Sequence, residues 1–202
     1  VSGCYHREIN DISIVDKIPA LSDKLELVKN KIRYMFEKTS KIEMVNVKKY
    51  SGADNPFQSR STDTFQYSGQ LNAKTDQRHG LGCCFDVLTG DLYFGFFQGD
   101  KRNGLGALIF GGKDPRFLPN AVPDFYVGDF VDDKMTTKSA LIVFTNGMKF
   151  SGAMKDNMLS GLGCVKYMQG DLYIKHSCIF EQGRKGERGE MFVRHESGRE
   201  LK

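Results

Sequence analysis

The stretch Tyr93-Phe-Gly95-Phe-Phe97-Gln-Gly-Asp-Lys-Arg-Asn103-Gly104-Leu-Gly106-Ala-Leu-Ile-Phe110 decides how the rest of the chain reads. Tyr93, Gly95 and Phe97 alternate, so in an extended backbone their side chains share one face. Phe, Tyr, Ile and Val favour that backbone. A polar turn follows, then Gly-Leu-Gly, then a second apolar run. One such unit is a β-hairpin.

The order recurs. Phe150-Ser-Gly152-Ala-Met154 leads to Gly161-Leu-Gly163, with the same 11 positions between first aromatic and first Gly as from Tyr93 to Gly104. Tyr67-Ser-Gly69-Gln-Leu71 reaches Gly80-Leu-Gly82 after 13. Tyr126-Val-Gly128-Asp-Phe130 runs into Thr137-Lys-Ser139-Ala-Leu-Ile-Val143, where both later glycines are lost. A fifth copy opens at Tyr173, with about three extra residues before Phe180, and closes at Gly189 to Phe192. Thr89-Gly90-Asp91, Asn146-Gly147 and Gln169-Gly170-Asp171 are tight-turn sequences before three of the copies. Copies start 24 apart from Tyr126 to Phe150 and 23 apart from Phe150 to Tyr173, and a period of this size indicates a stacked-repeat architecture. A Gly inside a strand marks a bulge or a close approach. Here an aromatic ring packed over the Gly is the expected cause.

This pattern resembles the MORN repeat (membrane occupation and recognition nexus), in which Tyr-x-Gly-x-Trp precedes a polar turn and Gly-x-Gly. The resemblance covers about Tyr67 to Phe192. The chain has no Trp, and Leu71, Phe97, Phe130, Met154 and Phe180 stand in the Trp place. The resemblance implies a mainly β fold: one elongated, twisted antiparallel sheet of stacked hairpins with a groove along one side. It also implies a non-enzymatic scaffold whose groove takes a helix or extended segment of a partner protein, anchoring cytoskeletal, ciliary or membrane-linked assemblies. The candidate groove aromatics are Tyr67, Tyr93, Phe97, Tyr126, Phe130, Phe150 and Tyr173. Aromatics in strands are also ordinary core residues, and the two readings are distinguished by whether Phe97→Ala weakens partner binding or unfolds the protein.

The expected organisation is an N-terminal segment over residues 1–60 and about five divergent repeats over 61–202. Within the first, Ser22 is a candidate N-cap for an amphipathic helix over about 22–38, with Leu25, Val28, Ile32, Met35 and Phe36 on its apolar side. That side is expected to cap one end or one face of the sheet. Ile42, Met44 and Val47 suggest a short strand, and Gly52 to Asp63 reads as a polar loop. Gly111 to Asp124 reads as a Pro/Gly-rich insertion between copies.

Composition sets further bounds. Forty per cent hydrophobic residues, with 15 Phe and 8 Tyr among 202, can fill a core. A net charge of +4, without a clustered basic stripe, does not point to nucleic acid. Five cysteines without a Cys-x-x-Cys pair, and no secretory leader, read as reduced thiols in a cytoplasmic or nuclear protein. Cys83 and Cys84 should face opposite sides of one strand. No catalytic constellation or phosphate-binding motif is present, and no cofactor is implied. His176 and Cys178, with Cys164 in the preceding copy, are the nearest approach to a metal set, but structural zinc sites use paired ligands at short spacing on both sides.

Two alternatives to the free scaffold follow from the resemblance. MORN arrays precede catalytic domains in some lysine methyltransferases and phosphoinositide kinases. The chain begins at Val1 rather than Met, which is compatible with a targeting module cut from such an enzyme. Acidic-phospholipid binding is the other, weakened by the Glu residues that interrupt the Arg184 to Arg199 cluster. An open sheet also leaves bare edges, and pairing in a homodimer is one way to cover them.

Overall fold

The computed structural model describes residues 13–37, 56–112, 122–195, 197 and 200–201. Thirteen strands form one antiparallel sheet in which spatial order follows chain order. They are β1 (Phe57–Ser61), β2 (Phe65–Leu71), β3 (Arg78–Asp86), β4 (Leu92–Gln98), β5 (Lys101–Ile109), β6 (Pro123–Val131), β7 (Lys134–Met135), β8 (Thr137–Phe144), β9 (Lys149–Lys155), β10 (Met158–Gln169), β11 (Leu172–Glu181), β12 (Arg184–His195) and β13 (Glu200–Leu201). Only the short β7 leaves this path, pairing with β6. The sheet is the stack of hairpins expected from the repeat.

The Gly-x-Gly motif has two separate causes. Its first glycine, Gly80, Gly104 or Gly161, has φ of +87°, +91° or +81°. This backbone is open to glycine and strained for other residues, and it sits where extra residues bulge out of the ladder. The second glycine lies under a ring. A Cβ added at Gly82 would stand 2.6 Å from the Tyr67 ring, and one at Gly163 would stand 2.5 Å from the Phe150 ring. Register places Gly69 opposite Gly82, Gly82 opposite Gly95, Gly95 opposite Gly106 and Gly106 opposite Gly128. The rings therefore lie flat over a glycine track. In the copy without Gly-x-Gly, the offset from β9 is smaller, and Ala140 stands opposite Gly152.

The N-terminal segment covers one face. Two 3₁₀ turns, Ser13–Lys17 and Pro19–Lys24, lead into the helix α1 (Leu25–Glu37). The helix thus starts later than the sequence suggested. Pro19 opens a 3₁₀ turn, and Ser22 lies within it, its hydroxyl donating to Asp23 at 3.4 Å rather than capping α1. Ile14, Val15, Ile18, Leu21, Ile32 and Met35 are buried against Leu81, Cys83, Phe94 and Val127 of the sheet. Lys29 pairs with Asp16, and Lys31 pairs with Asp124 while lying 5.9 Å from the Phe125 ring. The helix is a lid on a face, which is the capping role expected of it.

One local expectation is corrected. Residues 57–61, read as loop, form β1, so the sheet begins before Ser61. Phe57-Gln-Ser-Arg-Ser carries one apolar residue and no visible alternation, and its pairing with β2 supplies the order. The strand suggested at Ile42 to Val47 lies outside the described residues. Residues 113–121 of the insertion do too, while β5 and β6 on either side of it pair directly.

Candidate functional site

The sheet has two faces with different chemistry, a ring face and a helix face. On the ring face each opening tyrosine folds over its glycine and donates to the carbonyl three residues on. The distances are 2.7 Å for Tyr67 to Gln70, 2.9 Å for Tyr93 to Phe96 and 2.8 Å for Tyr126 to Asp129. Phe97 meets Tyr93 of its own hairpin at 5.1 Å and Tyr67 of the preceding one at 5.4 Å, edge to face. Phe130 repeats this with Tyr126 at 5.2 Å and Tyr93 at 5.1 Å. Phe150 and Phe180 continue it at 5.4 Å. Such edge-to-face pairs add about 0.5–1.5 kcal/mol each beyond their burial.

Six of the seven candidate aromatics therefore come together in one buried cluster. Tyr67, Tyr93, Phe97, Tyr126, Phe130 and Phe150 are all buried, none more than 4% exposed. They form the floor of the ring face. Tyr173 does not join them. It stands opposite Met168 and Arg194, on the helix face, with the Arg194 guanidinium 5.8 Å from its ring. In its place the register puts His176 opposite Val165, and Cys178 stands opposite Gly163 in the glycine track. The three extra residues seen in this copy lengthen β10, β11 and β12 to 12, 10 and 12 residues, shifting the repeat by an odd number and so changing the face.

A set of residues not anticipated from the sequence joins the hairpin turns. Asp100 takes the Arg78 amide at 2.8 Å and its guanidinium at 3.2 Å, and Asp133 treats Arg102 alike at 2.9 and 3.1 Å. Asn157 takes the Met135 amide at 2.7 Å. Asp100, Asp133 and Asn157 all have positive φ, at 67°, 69° and 68°, which Asp and Asn tolerate. The guanidinium groups of Arg78 and Arg102 also lie 5.1 Å from the Phe97 and Phe130 rings, closing the ladder at its turn end. The recurring Asp or Asn at the turn was the available signal.

On the helix face, a trough of about 990 Å³ opens beyond the helix. Leu105, Val127 and Leu141 line its helix side, and Ser139, Ser151 and Ala153 line its far side. Lys138 and Lys155 stand at its rim, and the Thr137 hydroxyl donates to the Asp129 carboxylate at 2.9 Å.

Cys83 faces the helix cluster and Cys84 the ring cluster, as alternation requires. Burial pushes both thiols up, with Arg78 opposing this at Cys84, so neither is a ready thiolate at neutral pH. Cys164 is on the opposite face from His176 and Cys178, and no group of three His, Cys, Asp or Glu among the described residues could hold a metal ion. Among the described residues no helix is long and apolar enough to cross a membrane.

Fold and site together define an open, single-sheet stack of β-hairpins with one face lidded by its own helix and a trough beside that lid. No family model and no curated protein matches the chain, so the similarity to MORN repeats rests on the residue pattern itself.

Proposed function

We propose that this protein is a non-enzymatic interaction scaffold of the MORN-repeat type, which binds a helix or extended segment of a protein partner along its sheet. The observation that carries this reading is the trough. It continues the surface on which α1 already lies, so this sheet face is shaped to take a rod-like segment. Rods seated in grooves through apolar contacts are a recurring recognition mode. The rigid ring ladder beneath holds the surface in one shape, which lowers the ordering cost of binding.

Buried rings supply the frame in this reading, and the exposed side chains of the helix face supply contact. A cytoplasmic scaffold tethering cytoskeletal, ciliary or membrane-linked assemblies is the role the repeat pattern suggests. Capture from native lysate on the intact chain, followed by mass spectrometry, tests the reading against an Ala153→Trp variant that fills the trough. A specific partner held by the native chain and lost by the variant, with melting unchanged, is the expected result. A partner held equally by both places binding elsewhere.

A further inference from the structure

The inference rests on the scaffold reading and assigns its partner a chemistry. Three rows of side chains cross the helix face from strand to strand. In the first, Ala107, Val127 and Leu141 run in register under or beside the helix, and the same row continues as Ser151, Cys164 and Ser177 before ending at Glu190. In the second, Ile109, Phe125 and Val143 continue as Lys149, Lys166 and Lys175, ending at Phe192. The third is short: Leu162 stands opposite Ile179. Both rows that pass beneath the helix change character where its cover ends.

Mere solvation of an uncovered face would explain lysines alone. It does not explain Leu162 at 72% exposure, Ile179 at 54% and Met168 at 53% beside them. Nor do the lysines have acidic partners among the described residues, although like charges directly opposite one another oppose sheet formation.

The spacing fits one kind of occupant. From Leu162 to Lys166 is four residues along β10, about 13 Å in a strand. A helix with its side chains is about 10–12 Å across. Laid across the strands over Ser151, Cys164 and Ser177, it would touch aliphatic side chains on one flank and the lysine row on the other. Crossing the three strands β9 to β11 that carry these side chains takes roughly 14 Å, or about 10 helical residues. We propose that this half of the helix face seats an amphipathic helix of a partner protein, with aliphatic residues along one flank and Asp or Glu along the other. A strip of small side chains between two flanks of longer ones suits a rod better than a flat bilayer.

The test uses the full chain and a fluorescent, stapled helical peptide of about 16 residues, with Leu along one flank and Glu along the other. A second peptide carries Gln for Glu. Vesicles of phosphatidylcholine with phosphatidylserine are the third probe. The Glu peptide is expected to bind, to slow alkylation of Cys164, and to lose about tenfold or more in affinity to Lys166→Gln/Lys175→Gln. The Gln peptide should bind more weakly than the Glu peptide. Relieving like charge should leave the variant's melting no lower than that of the native chain. Failure of the Glu peptide to bind, equal binding to native and variant chains, or vesicle binding through the same lysines without peptide binding overturns the proposal. If the peptide fails while Ala153→Trp still abolishes capture of a partner, this inference falls and the scaffold reading stands. If both fail, both fall.

Discussion

Tyr93 and Phe130 lie on different hairpins, and their rings meet edge to face at 5.1 Å and 85°. Phe97 bridges Tyr67 and Tyr93 in the same way. Each ring is thus buried by the next hairpin, and one hairpin alone would expose it. That dependence is the general logic of repeat folds, where neighbours stabilise one another.

Truncating a bridging ring should therefore cost more than a surface change. Phe97→Ala and Phe130→Ala are each expected to lower unfolding free energy by about 3–5 kcal/mol. Urea denaturation measures this. Both positions are framework residues here, so loss of stability, rather than selective loss of binding, is the expected outcome for Phe97→Ala.

The two glycine roles give a second prediction. Gly82→Ala forces a methyl group into the Tyr67 ring and should cost about 1–3 kcal/mol. Gly147 has open space around it and φ of +83°, so Gly147→Ala pays only backbone strain of about 1 kcal/mol. Replacing Gly147 by Asn, which tolerates positive φ, should restore most of that. A Gly82→Ala variant as stable as the native chain would remove the ring-over-glycine explanation.

Clamping by Asp133 predicts an asymmetry at the turns. Asp133→Ala loses the bonds to the Arg102 amide and guanidinium and leaves a residue with poor tolerance of φ near 69°. Asp133→Gly loses the bonds alone. The first should be less stable by about 1 kcal/mol or more in thermal melts.

Stability should also depend on alkaline pH. Burial holds the Tyr93 and Tyr126 hydroxyls well above their ordinary value of 10.0, so the folded protein keeps them neutral while the unfolded chain would ionise. Their contribution is present in full below pH of about 10 and is lost as pH rises beyond it, at about 1.4 kcal/mol per pH unit for each group. Tyr126→Phe should flatten this slope, at a cost near 1 kcal/mol at neutral pH for the lost bond to the Asp129 carbonyl.

The hairpin stack was legible because its signals are local. Tyr-x-Gly, Asn146-Gly147 and Gly-Leu-Gly each encode a strand, a turn or a bulge within a few residues. What escaped the sequence depends on partners far along the chain. β1 is specified by its pairing with β2 rather than by its own composition. Tyr173 carries an aromatic at the expected spacing, but three extra residues move the repeat position to His176, and one face looks like the other until register is known. Alternation showed that the rings share a face, while their burial follows from the neighbouring hairpins. The lysine row is invisible in one dimension, because Lys149, Lys166 and Lys175 meet only across strands.

The most direct test of the scaffold account is isothermal titration of the captured, purified partner segment into three chains: native, Ala153→Trp and Met191→Asp. Ala153 lines the trough on the helix face, and Met191, 65% exposed, stands opposite His176 on the ring face. The account predicts that Ala153→Trp weakens binding by about tenfold or more while Met191→Asp leaves it unchanged. Binding that survives Ala153→Trp and is lost with Met191→Asp would contradict it and put the partner on the ring face.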